Sequence, residues 1–230
     1  MKNFLTLLIL TFIYSLSFAQ QRKGFNEWDK AAQTDIRMLP MYGHQQKTKE
    51  QIQADDDFLK TVLEQDKTKK AGSEHLIKLG FTYAYQGNLQ TAMSRFNQAW
   101  LLDSTNANVF WGFGGVYFYL QAFDETIKMY NLGLVIDSTN TNLLTDLGNI
   151  YLTKYDDSKP DKELLAQANS YLEKSYQLNP KYSSTVYKLI ISSLYSGDCE
   201  KAKKYFKECE KLERNPITDV FRNNFKEKCK

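Results

Sequence analysis

Phe110 to Phe118 read FWGFGGVYF, and the three glycines in that run have the density of a loop that wraps phosphate with backbone N–H groups. Such a loop follows a strand and opens a helix. Here large apolar residues recur at helical spacing on both sides, so Gly112, Gly114 and Gly115 fall inside a helix, which each weakens by about 0.8 to 1 kcal/mol relative to alanine. The run is therefore no nucleotide loop, and its glycines need a packing reason. The other chemistry-bearing residues are sparse. The two histidines, His44 and His75, have no Cys or His at metal-ligand spacing. Asp55, Asp56 and Asp57 lack the glycine and the closing glutamate of a calcium loop, and they fall near a helix start, where the dipole favours negative charge. Asp124 and Glu125 stand at a turn, suited to capping the next helix rather than to paired acid and base work. No catalytic set assembles, and neither a metal nor a cofactor is expected.

What the chain has instead is aromatic surface: 15 Tyr, 14 Phe and 3 Trp among 230 residues. Its net charge is only +3, with Lys and Arg interleaved with Asp and Glu, so it lacks the basic field that nucleic acid requires. Residues 1–19 carry Lys2, an apolar run from Phe4 to Tyr14, and small residues at Ser17 and Ala19, the pattern of a cleavable export signal. The run is shorter than the roughly 20 residues needed to span a bilayer. The mature chain is expected to be exported and soluble, periplasmic or secreted, in a compartment that permits disulfides.

The elements that position these residues announce themselves as a repeat. Leu79, Gly80 and Tyr83 return 34 residues later as Phe113, Gly114 and Tyr117, and again as Leu147, Gly148 and Tyr151; the tetrapeptide DSTN at Asp103 recurs at Asp137. Each unit holds two runs of helical periodicity split by a short polar turn. Neither helix is long enough to be stable alone, so hairpins must stack on one another.

These residues resemble the tetratricopeptide repeat, a helical hairpin of 34 residues with a Leu-Gly-x-x-Tyr core in its first helix. The second helix of that pattern is matched by Ala92, Phe96 and Ala99 in residues 73–106, and by Thr126, Tyr130 and Gly133 in residues 107–140. Residues 141–182 supply Ala168, Leu172 and Ser175 with eight extra residues between their helices, and residues 183–216 supply Ala202, Phe206 and Cys209 in the most divergent unit. The resemblance implies an all-α fold, a right-handed α-solenoid of about four hairpins; apolar residues at helical spacing, Phe58, Leu59 and Val62 within 48–72 and Val220, Phe221 and Phe225 within 217–230, predict a helix with a linker capping one end and a helix capping the other. Thr48 and Gln51 form a candidate capping box for the former.

The resemblance also implies that the first helices line a concave groove, here Ile77, Phe81, Tyr85, Trp111, Gly115, Tyr119, Tyr187 and Ile191. Gly114 shares its place with Gly80 and Gly148, where helices of one hairpin touch, whereas Gly112 and Gly115 have no such counterpart. Gly115 replaces Phe81 and Asn149, which leaves a notch between Trp111 and Tyr119. An aromatic groove of this kind suits a peptide, a helix or a protein partner. The alternative is a glycan or small ligand, stacked on Trp111 beside Asn108, Asn142 or Asn149. Residues 20–47 break at Pro40 and Gly43 and read as a loose arm whose Phe25, Trp28, Ile36, Met38 and Leu39 could compete for the groove.

Three cysteines complete the reading. Cys199 and Cys209 share a helix about 15 Å apart, too far for a bridge, and Cys209 occupies a small buried position. An antiparallel C-terminal helix would bring Cys229 level with Cys199, which predicts a Cys199 to Cys229 disulfide; the alternative is three free thiols.

Overall fold

The structure of the protein, a computed structural model, describes residues 24–157 and 161–230. The expected export signal and part of the insertion after Asp157 lie outside these residues. The described chain is helical, without strands: α1 over residues 24–32, α2 Lys49–Asp66, α3 Lys69–Tyr85, α4 Leu89–Leu102, α5 Ala107–Tyr119, α6 Phe123–Ile136, α7 Thr141–Asp157, α8 Lys162–Leu178, α9 Ser183–Tyr195, α10 Cys199–Glu210 and α11 Asp219–Lys228. Two short 3-10 turns, Ile36–Met38 and Pro40–His44, join α1 to α2. The chain divides into two compact units, one ending at Ile136 and the other beginning at Asp137.

The first unit contains the hairpins α3/α4 and α5/α6. The turn of each is set by the same backbone bonds: Asn88 N donates to Tyr83 O and Ala122 N to Tyr117 O, both at 2.9 Å. This closure demands a left-handed residue just before the second helix. Gly87 takes it at φ +78°, whereas Gln121 takes it at φ +55° and bears the steric cost of its side chain. The DSTN tetrapeptide is equally mechanical. Asp103 Oδ1 accepts from Thr105 N at 3.0 Å, and Asn106 Oδ1 then caps α5 by accepting from Asn108 N at 3.1 Å. Between the helices the fully buried Phe96, Phe113, Leu76, Met93 and Val109 form the core. Thr48 and Gln51 make both bonds of the capping box that starts α2, and Val62 of that helix packs over Gly72 of α3.

Residues 24–44 are folded, which corrects the expectation of a loose arm. Trp28, Ala32, Met38 and Tyr42 are buried, and the segment lies along α4, with Phe25 meeting Tyr117 edge-on at 6.1 Å. The cause is Asn97, a fully buried amide on α4. Its Nδ2 donates to Arg37 O at 3.0 Å and Leu39 O at 2.9 Å, while its Oδ1 accepts from Tyr42 N at 3.4 Å. Met41, Tyr42, Gly43 and His44 run through consecutive left-handed conformations, a strained turn at about 1 kcal/mol or more for each non-glycine residue. Anchoring by Asn97 and by Tyr42, whose hydroxyl donates to Asp55 Oδ1 at 3.3 Å, offsets that strain.

The second unit contains α7/α8 and α9/α10, closed by α11. The α9/α10 turn repeats the bond seen above, from Asp198 N to Ser193 O at 2.9 Å, with Gly197 left-handed at φ +74°. Leu143, Leu144, Leu147, Ile150, Leu172, Leu189 and Ile190 form its core. Within it, the hydroxyls of Thr145, Ser175 and Thr185 bond one another at 2.6 to 3.0 Å. Helix α11 docks through Phe221 and Phe225. Phe225 stacks on Phe206 at 4.3 Å, and Phe221 meets Tyr187 at 4.9 Å. Val220 on the same helix is 70% exposed.

A disulfide joins Cys199 at the start of α10 to Cys229 at the end of α11, Cα to Cα 5.4 Å. Cys209 is free, fully buried, and burial pushes its thiol up to about 11. Two outcomes follow. Alkylation of the unreduced protein should label no cysteine in the native state and Cys209 alone in denaturant; reduction should lower stability by about 3 to 4 kcal/mol in urea melts, the closure entropy of a loop this long. Independently, Asn97→Ala should destabilise by about 2 to 3 kcal/mol, because three backbone groups, that of Tyr42 buried, lose their partner. An unchanged urea midpoint would mean that residues 24–44 are not docked on α4.

Candidate functional site

Phe81 and Tyr85 on α3, and Trp111, Gly115 and Tyr119 on α5, follow one another at four-residue steps, so each set lies along one helix face. The two faces adjoin in the first unit. Phe81 and Trp111 pack with ring centroids 4.3 Å apart and planes tilted by 50°; Tyr85 and Tyr119 meet edge-on at 6.5 Å. Phe81 is fixed from beneath by Phe96, at 5.1 Å. The outer pair is open to solvent, Tyr85 at 76% and Tyr119 at 44% exposure, although neighbouring atoms and then Tyr85 raise the Tyr119 pKa above its ordinary value.

The glycines of FWGFGGVYF divide by what a side chain would meet. A Cβ at Gly112 would fall within the Phe96 ring, and one at Gly114 within the Tyr130 ring. Gly112 is thus structural like Gly114, Gly80 and Gly148, a role the sequence did not reveal. Gly115 differs: a Cβ there would meet Phe81 Cε1 at 3.3 Å and nothing else outside its own helix within 4 Å. It leaves a shallow recess bordered by Phe81.

Three other expected groove residues are placed differently. Ile77 is 6% exposed and belongs to the core of the first unit, because α3 turns its side chain toward the hairpin interior. In the second unit, Tyr187 is covered by Phe221 of α11 and Ile191 is partly buried in the same cluster. The aromatic surface of the first unit therefore consists of Phe81, Tyr85, Trp111, Gly115 and Tyr119. Its chemistry is stacking and apolar burial.

A second concavity escaped the sequence. The N-terminal segment, α2 and α4 line two open cavities of about 530 and 580 Å³ that share Tyr42, Lys47 and Asp55. Lys47 is paired with Asp55 and seated 3.2 Å from the Tyr42 ring centroid. Burial, and then Asp55, raise the Tyr42 pKa above the ordinary tyrosine range. The buried Asn97 between Phe96 and Ala99 was the available signal, an amide on an otherwise apolar helix face. His75 pairs with Asp66 at 2.9 Å and His44 lies edge-on to Trp100. Among the described residues no three metal-ligating side chains stand together.

The glycines offer a clean test. Gly112→Ala should lower stability by about 1 to 3 kcal/mol through overpacking against Phe96. Gly115→Ala should be neutral or stabilising by up to about 1 kcal/mol, provided Phe81 yields a few tenths of an ångström. Thermal melts that rank the two in the opposite order would overturn this division.

No protein-family model and no curated protein sequence matches the chain significantly. Solved structures do. A thermophilic TPR (tetratricopeptide repeat) protein from Thermus thermophilus superposes with a TM-score of 0.56 at 18% identity, covering 68% of this chain and 80% of its own. PilF of Pseudomonas aeruginosa gives 0.57 at 22% identity, with 68% and 67% covered. At these identities the likeness establishes architecture. By fold, the chain is all-α and built of helical hairpins of the tetratricopeptide-repeat type.

Proposed function

We propose that the chain is an exported, non-enzymatic scaffold whose first unit holds a peptide or helix of a protein partner on the aromatic face of α3 and α5. The observation that carries this reading is the exposed pair Tyr85 and Tyr119 beside the Gly115 recess, aromatic area left in solvent although the same unit buries Phe96 and Phe113 completely. Aromatic rings lose little side-chain freedom on binding and dominate the energetics of contact surfaces. Export rests on the signal pattern of residues 1–19, and the Cys199–Cys229 disulfide suits an oxidising compartment. Periplasm and extracellular space fit equally.

Selection of a displayed peptide library against the purified chain tests the binding face. Enriched sequences should carry apolar or aromatic anchors, and Trp111→Ala or Tyr119→Ala should weaken them by about 2 kcal/mol while the helical circular dichroism is retained. Gly115→Leu should fill the recess and block them. Binders indifferent to all three changes would refute this face as the site. Hits on a glycan array without peptide binding would favour saccharide stacking on Trp111.

A further inference from the structure

Arg95, in the middle of α4, has no carboxylate partner among the described residues. Its guanidinium lies 5.1 Å from the Phe58 ring centroid, Nη1 donates to Gln98 Oε1 at 2.8 Å, and Nε is buried without an acceptor. A half-buried cation left in this condition is uncommon, since buried polar groups are normally satisfied. The hollow beside it, about 370 Å³, is lined by Arg37, Gln90, Thr91, Ser94, Arg95 and Gln98, all hydrogen-bond donors and none acidic. It shares Arg37, Ser94 and Gln98 with the 530 Å³ cavity described above, a size suited to a small ligand.

The charges around this crease are already matched except for one. Asp35 accepts from Arg37 Nε and Nη2, each at 2.8 Å, and from Gln90 Nε2 at 3.2 Å, and the Arg37 bonds hold its carboxyl below the ordinary value of 3.8. Asp55 is taken by Lys47 and Tyr42. What is left is the single positive charge of Arg95, surrounded by hydroxyls and amides. We infer that the crease binds a small ligand bearing one carboxylate, received by Arg95 with Ser94, Thr91 and Gln98, whose uncharged polar body fills the larger cavity. A planar guanidinium fork matches a carboxylate, and a dianion such as phosphate would bring a second charge with no partner. The closed ion pairs and amides of the larger cavity suit hydroxyl or amide groups. A uronic acid and an N-acylated amino acid both present this chemistry. The site uses neither α3 nor α5 and is independent of the aromatic face.

Isothermal titration of the purified chain with glucuronate, N-acetylalanine, inorganic phosphate and glucose decides it. One of the two carboxylates should bind, and which one distinguishes a sugar acid from an acylated amino acid. Arg95→Gln should weaken it about tenfold or more. Should that variant fail to fold, Arg95→Lys keeps the charge without the fork and should still bind several-fold more weakly than wild type. Absence of carboxylate binding below about 10 mM, preference for phosphate or glucose, or undiminished binding by the variants would overturn the assignment.

Discussion

A ring seated where a side chain is missing sets the geometry of the first unit. Phe96 of α4 occupies the space that Cβ atoms at Gly80 of α3 and Gly112 of α5 would need, so three helices converge on one aromatic ring. Tyr130 against Gly114 repeats the device within the next hairpin, and Leu172 against Gly148 does so in the second unit. Each such contact seats a large side chain against the neighbouring helix where a Cβ would clash, and the helix weakening from glycine is offset by dense apolar contact. The position of the aromatic surface follows from it. Phe81 rests on Phe96, Trp111 rests on Phe81, and the recess at Gly115 is framed by the same ring.

The two units use the same hairpin with different interiors. In the first, Phe96 and Phe113 fill the space between helices; in the second, aliphatic side chains do, with a closed group of three hydroxyls from Thr145, Ser175 and Thr185 among them. Such a group is stable only when each member has a partner, which these have. The second unit also covers its own apolar end: Phe221 and Phe225 of α11 lie on Phe206 and Tyr187, and the disulfide closes the chain behind them. A helix of ten residues would be marginal alone.

Local features were the legible ones. The DSTN turns, the capping box at Thr48 and the helix pairs follow from residues close in sequence, and each appears where its pattern stands. Features made by distant pairs were not. Trp28, Met38 and Tyr42 show no helical period, and the amide that fixes their segment lies more than fifty residues from its partners, so residues 20–47 read as a loose arm. The groove was overdrawn for a related reason. Family geometry specifies which helix face turns inward, but Ile77 is claimed by the hairpin core, and Tyr187 by a helix outside the repeat. The crease beside Arg95 depends on α2, α4 and the N-terminal segment together, which no single-helix pattern contains.

The Asn97 clamp has a kinetic consequence. Arg37, Leu39 and Tyr42 are synthesised well before the amide that holds them, and their own segment offers them no comparable partner. Local hairpins form in microseconds, whereas a contact spanning this many residues waits for both ends to exist and for the loop between them to close. Residues 24–44 are therefore early to emerge and late to be fixed. During that interval Trp28 and Met38 lack the contacts that bury them in the folded chain, and transiently exposed apolar surface of this kind is what makes a folding chain prone to aggregate.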